Sequence, residues 1–244
     1  MATDNMDGKV LIGEGLTKHF GGLAAIEGID VGAKKGSFTG IIGPNGSGKT
    51  TLFNVITGYL KATSGETIFN GKKITNLKPH EIVNMGMVRT FQVPQCCKDL
   101  TIRENIRLAC LGRCGRDEIE ARIMELASLS NLEGVLDSVA ENVTIGHLRK
   151  IEFAMALGTD PEIILLDEPF SGLTDVECEE LSRLIRGLRK ELTAMIIDHK
   201  LKHLMPIVEK VMVLNQGRLF FEGTPEEVSA NRDVQKIYIG GEVG

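Results

Sequence analysis

The sequence predicts an α/β fold with a β unit at the front of the chain and a mainly helical insert in its middle. Three observations carry that expectation. A short apolar strand, Ser37-Phe38-Thr39-Gly40-Ile41-Ile42, runs into a glycine-rich turn, and a helical pattern, Thr51 to Ile56, leaves it. A second apolar run, Ile163-Ile164-Leu165-Leu166, reads as a parallel strand buried on both faces and ends on Asp167-Glu168. Between the two, glycines thin out after Gly115 and helical periodicity takes over.

The turn, Gly43-Pro44-Asn45-Gly46-Ser47-Gly48-Lys49-Thr50-Thr51, has the spacing Gly, four residues, then Gly-Lys-Thr. Glycines let the backbone curl so that successive N–H groups point inward, and the next helix presents its positive end, which suits a polyphosphate. On this reading Gly43, Asn45, Gly46, Gly48 and Thr51 cradle a nucleotide, Lys49 reaches its β- and γ-phosphates and the Thr50 hydroxyl ligates Mg²⁺.

At 244 residues the chain can bury a full core, as one α/β domain with or without a subdomain. A formal charge of −5 argues against a dedicated nucleic-acid binder. No apolar stretch reaches the ~18 residues of a membrane span. Met1 to Lys9 is polar and lacks a signal-peptide core. A cytosolic protein is expected, reaching any membrane through a partner. The five cysteines, Cys96, Cys97, Cys110, Cys114 and Cys178, are odd in number and complete no zinc set, so reduced thiols are expected.

Taken in order, Val10 to Phe20 and Ala24 to Val31 read as a β hairpin across Gly21-Gly22. Phe20 beside that turn is either packing or a platform for a base. Ser64 to Gly71 is a strand entering an Asn-Gly turn, and Pro79 to Gly86 is a short helix with Pro at its start and Gly at its end. Met87 to Gln92 is a further strand. Helices are expected from Thr101 and over Arg116 to Leu129, with a solvated charged face.

Thr144 stands as an N-cap for an apolar helix through Leu157, where either capping alone or an anion site explains it. Asp167 and Glu168 fall where open α/β sheets bind ligands. There Asp167 can hold Mg²⁺ and Glu168 can orient and deprotonate a water. Glu177 to Glu191 is an amphipathic helix. Thr193 to His199 is a buried strand whose terminal His199 can meet a γ-phosphate. Val211 to Gly223 reads as a hairpin, and Thr224-Pro225-Glu226-Glu227 opens a final helix.

The order of these elements resembles the ATP-binding-cassette ATPases over nearly the whole chain. The resemblance implies a P-loop ATPase core with an antiparallel β subdomain and an inserted α-helical subdomain. It divides a single 1–244 domain into 1–92 with 160–244 and a helical 93–159. Gly43 to Thr51 looks like the Walker A loop, Ile163 to Glu168 like Walker B with its catalytic Glu, and Ser171-Gly172-Leu173-Thr174 like the D-loop. Gln92 matches the Q-loop glutamine, His199 the switch histidine, and Phe20 the adenine-stacking aromatic. This implies Glu168, His199 and Gln92 as catalytic residues, with Thr50, Gln92 and Asp167 around Mg²⁺.

Phe20-Gly21-Gly22-Leu23, Thr51-Leu52-Phe53-Asn54-Val55-Ile56-Thr57-Gly58 and Arg89-Thr90-Phe91-Gln92 are similar to the ATPase subunits of branched-chain amino acid importers. Gly223-Thr224-Pro225-Glu226-Glu227 and Ile237-Tyr238-Ile239-Gly240 are similar to the same group, and also to the lipopolysaccharide-export ATPase. The implied partners are a second ATPase subunit, membrane permease subunits and, indirectly, an external substrate-binding protein. The implied place is the inner face of the cell membrane.

Three segments depart from the family pattern. The signature, usually Leu-Ser-Gly-Gly-Gln, reads Val143-Thr144-Ile145-Gly146-His147; the D-loop ends in Thr174; Lys200 follows His199. Family cassettes face head to tail, so Thr144 and Gly146 would serve the partner's nucleotide. The resemblance thus implies an asymmetric pair and favours a heterodimer.

Overall fold

The computed structural model describes residues 8–189 and 192–239. The residues before position 8, the expected helix end at Glu191, and Gly240 of the C-terminal motif lie outside that description.

The chain opens with β1 (Lys9–Phe20) and β2 (Leu23–Lys34), an antiparallel hairpin closed by Phe20 opposite Leu23. Next come β3 (Phe38–Ile42), the glycine-rich turn and α1 (Lys49–Ile56). β4 (Ser64–Phe69) turns through Asn70-Gly71, both at positive φ, into β5 (Lys72–Lys73). These strands make a four-stranded sheet in the order β2-β1-β4-β5.

α2 (Pro79–Asn84) and β6 (Met87–Arg89) follow, then three helices, α3 (Ile102–Cys110), α4 (Ile119–Leu129) and α5 (Ile145–Gly158). The chain returns through β7 (Ile163–Asp167), α6 (Asp175–Gly187), β8 (Thr193–Ile197) and α7 (Leu201–Leu204). It closes on β9 (Lys210–Asn215), β10 (Arg218–Gly223), α8 (Pro225–Ala230) and α9 (Arg232–Ile239).

The second sheet has six strands in the order β10-β9-β3-β8-β7-β6. β9, β3, β8, β7 and β6 run parallel, and β10 pairs antiparallel at one edge. Both faces are covered, and the burial shows it by alternation. Ile164, Leu166, Ala194, Ile196, Val211 and Val213 pack with the helical side of the molecule. Ile163, Leu165, Met195, Ile197, Met212 and Leu214 pack against α1 and the antiparallel sheet. That is why these strands read as continuous apolar runs. No helix among the described residues is long and apolar enough to cross a membrane.

Four departures from the expected elements have a visible cause. The strand expected to reach Gln92 ends at Arg89, because the backbone of Phe91 and Gln92 is taken by the side chains of Glu152 and Arg149 on α5. The helix expected from Arg116 starts at Ile119, after a turn in which Glu118 N–H donates to the Gly115 carbonyl. α6 starts at Asp175 because Thr174 caps it, accepting from Glu177 N–H while Glu177 accepts from Thr174 N–H. The C-terminus holds two helices where one was expected, and the Asn231 side chain accepts from Asp233 N–H to start the second.

Candidate functional site

Parallel strands bring their carboxyl ends to one side of the sheet, and four of these ends carry the candidate residues. β3 feeds the glycine-rich turn, β6 leads to Gln92, β7 ends on Asp167-Glu168, and β8 leads to His199. The turn needs glycine at two points. Gly43 has φ 154°, and a Cβ there would strike the Leu214 carbonyl; Gly48 has φ 98°, and a Cβ would lie 2.6 Å from the Ile26 side chain. The backbone therefore packs onto β2 and β9 more closely than any side chain allows.

Lys49 folds over its own loop, its ammonium donating to the carbonyls of Gly43 at 2.8 Å and Pro44 at 2.9 Å. Burial lowers the Lys49 pKa, while the carboxylates of Glu168 and Asp167 oppose that shift. A cavity of about 560 Å³ opens above the loop. Its walls are Asn45, Gly46, Gly48, Lys49, Thr50 and Thr51 below, Gln92 and Glu168 on one side, and Leu23, Ala24, Ala25, Gln216 and Gly217 on the other. The volume lies in the range of small-ligand sites.

Glu168 is the most constrained member. Its φ is +50°, although a proline follows and a residue before proline normally stays extended. Left-handed backbone at a non-glycine residue costs on the order of 1–3 kcal/mol and persists only where the surroundings enforce it. Here Glu168 N–H donates to the Ile197 carbonyl at 2.8 Å, and the Gln92 side-chain amide donates to Glu168 Oε2 at 3.0 Å. The acid is thus turned away from the strand direction and toward the cavity. His199 Nδ1 stands 3.9 Å from Glu168 Oε2, and its side chain is 59 % exposed. It borders the acid without a hydrogen bond to it.

Asp167 lies beneath, 2 % exposed, with its Oδ2 accepting from Arg89 at 2.6 Å. Burial raises its pKa, and the Arg89 bond opposes the shift. Its Oδ1 is buried and has no hydrogen-bond partner. A buried carboxylate oxygen left unpaired near the Thr50 hydroxyl-bearing loop suits a hard divalent cation held by one carboxylate and phosphate oxygens.

Six expected residues do not line the cavity: Gly43 is covered by the loop, Asp167 and His199 border Glu168, and Phe20, Thr144 and Gly146 have other surroundings. Phe20 is about half exposed at the β1–β2 turn, with the Lys18 ammonium 5.2 Å from its ring centroid, and Leu23 lines the cavity instead. Thr144 and Gly146 sit at the start of α5. Thr144 Oγ1 accepts from His147 N–H at 3.3 Å, the capping that the sequence left open beside an anion site. Gly146 packs directly on the Glu177 carboxylate. Sequence reasoning missed the opposite wall, Gln216-Gly217, whose only signal was a turn between two strands. It is locked in place by Gly217 N–H to the Ser47 carbonyl and Glu27 N–H to the Gly217 carbonyl.

A family model described as ABC transporter matches residues 26–171, from the second strand through both acids. The chain belongs to that family. A second model, described as branched-chain amino acid ATP-binding cassette transporter, matches residues 218–244 of this ABC cassette. The cassette is 35 % identical to the high-affinity branched-chain amino acid transport ATP-binding protein BraF of Pseudomonas aeruginosa, covering 96 % of this chain and 99 % of that one. It is 34 % identical to the probable branched-chain amino acid transport ATP-binding protein LivG of Archaeoglobus fulgidus, covering 96 % of each. Among solved structures, an ATP-binding cassette of an ABC transporter in its ADP conformation superposes with a TM-score of 0.87 at 33 % identity, covering 95 % of this chain and 99 % of that one. A nucleotide-free cassette from an ABC transporter gives 0.86 at 31 %, with the same coverage. The α/β core, the antiparallel sheet and the helical layer are those of an ABC ATPase.

Proposed function

We propose that this cassette is the ATP-hydrolysing subunit of an importer for branched-chain or related amino acids. The observation that carries the proposal is the cavity that gathers Lys49, Thr50, Gln92 and Glu168 at the ends of parallel strands. The cargo follows the relatives, whose names assign them to branched-chain amino acid transport.

In this reading the loop amides of Asn45 to Thr51 and the Lys49 ammonium bind the ATP phosphates. Thr50, Gln92 and Asp167 would hold the divalent cation, Mg²⁺, which would supply neutralisation of the phosphate charge. Glu168, oriented by Gln92, takes a proton from water as the water oxygen bonds to the γ-phosphorus; the bond to the bridging oxygen breaks and ADP leaves with that electron pair. His199 steadies the γ-phosphate, and Phe20 meets the adenine once nucleotide is bound.

Two cassettes work head to tail on the inner face of the membrane, against permease subunits supplied by an external substrate-binding protein. Residues 1–92 and 160–244 form the nucleotide-binding unit, and 93–159 the unit that faces the permease. Val143-Thr144-Ile145-Gly146-His147 serves the partner's nucleotide, so a different partner cassette with a fuller signature is favoured. A second reading, a regulatory cassette that closes on ATP with little turnover, draws on the same segment. Its Thr144 hydroxyl lies 3.0 Å from His147 Nδ1, occupied within its own helix.

Uptake of labelled leucine, isoleucine and valine by cells that lack this gene tests the proposal. Loss of uptake, restored by the wild-type chain and not by Lys49→Ala, supports it. Undiminished uptake in the absence of other cassettes for these substrates contradicts it.

A further inference from the structure

Arg89 has no part in the functional reading above, yet it touches the centre of the site. Its side chain is 4 % exposed. Nη2 donates to Asp167 Oδ2 at 2.6 Å, and Nη1 donates to Asn54 Oδ1 at 2.5 Å. Three rings enclose the guanidinium, with centroids 5.7 Å (Phe53), 5.8 Å (Tyr59) and 5.1 Å (Phe91) away. A planar fork fixed by aromatic faces has one orientation, and here that orientation spans α1 and β7.

The span joins two particular groups. Asn54 lies four residues after Thr50 on α1, so the two share one face of the helix. Asp167 ends β7 with one carboxylate oxygen on Arg89 and the other buried without a partner. The chain Asn54–Arg89–Asp167 therefore sets the distance between the helix that carries Thr50 and the strand that carries Asp167.

We propose that Arg89 is a positioning residue that fixes the Asp167 carboxylate, committing Oδ2 to the guanidinium and reserving Oδ1 for the divalent cation bound with ATP. The proposal rests on Asp167 being a cation-holding residue. Lysine cannot substitute, because a point charge on a flexible stem cannot serve Asn54 and Asp167 together.

The test measures how much Mn²⁺ tightens binding of a fluorescent ATP analogue to the full-length chain, by titration in Mn²⁺ and in chelator. The wild-type gain, and its loss in Asp167→Asn, test the reading of the site by themselves. With that reading intact, Arg89→Lys should keep the cation-free affinity and lose about tenfold or more of the Mn²⁺ gain, as outer-shell partners of metal ligands do. Asn54→Ala, which leaves the ion pair in place, should lose a smaller part of the same gain, and it decides the matter if Arg89→Lys does not fold. A wild-type Mn²⁺ gain in a folded variant overturns the proposal. So does an equal loss with and without cation, which marks a packing role alone.

Discussion

The Gln92 side-chain amide donates to the Glu168 carboxylate at 3.0 Å, joining the loop after β6 to the acid after β7. The bond removes the freedom of one Glu168 oxygen, and in the proposed mechanism the other meets the water. Gln92→Ala should lower kcat by about 10- to 100-fold through misorientation of the acid, while ATP affinity measured in chelator, where the cation plays no part, changes little. Steady-state kinetics beside an ATP-binding isotherm separate the two.

The Gln92 loop is itself held from α5. Arg149 donates to the carbonyls of Phe91 at 2.8 Å and Gln92 at 2.5 Å, and Glu152 Oε1 accepts from Phe91 N–H at 2.9 Å. Glu152→Ala strands a part-buried N–H and should cost about 1–3 kcal/mol, read as a lower urea midpoint. Glu152→Gln should cost less, because its amide oxygen still accepts.

Burial raises the Glu152 pKa against the opposing bonds from Phe91 and Arg149. A raised carboxyl favours the folded state while neutral. Its contribution is full below the usual carboxylate range and is lost as pH rises through the raised value. Glu152→Gln cannot ionise, so its melting temperature should fall less than that of the wild type across this window. Thermal melts in a pH series check it.

Lys200 has a structural reason. Its ammonium donates to the Leu173 carbonyl at 2.6 Å and lies 3.5 Å from Cys178 Sγ, pinning the segment Ser171 to Thr174 against α6. Lys200→Met removes a charged hydrogen bond and should cost roughly 1.5–3 kcal/mol. Chemical denaturation measures it, and limited proteolysis should locate the loosened segment at 171–174.

Thr144 caps α5, so Thr144→Ala should destabilise the chain by about 1 kcal/mol, while Thr144→Ser should not. If the residue also serves a partner's nucleotide, Thr144→Ala should lower turnover of the assembled pair beyond what the melting shift explains.

The strands and the phosphate loop were legible because each is a local pattern. Gly43 to Thr51 carries its own spacing, and Ile163 to Leu166 is apolar on both sides because both faces are covered. What remained hidden depends on distant contacts. Nothing near Arg89 announces a carboxylate 78 residues away. The positive φ of Glu168 is enforced by the Ile197 carbonyl, and a sequence before proline argues for the opposite. The early end of β6 is likewise decided by α5, more than fifty residues on.

The measurement that tests the central claim most directly is ATP turnover of the purified chain and its Glu168→Gln variant, each alone and with the permease and a partner cassette. Low turnover alone, a rise on assembly, and a loss of about 10²–10⁴-fold in Glu168→Gln with ATP binding retained is the expected result. Assembled turnover that is absent, or that does not depend on Glu168, would contradict it and leave an ATP-gated regulatory cassette.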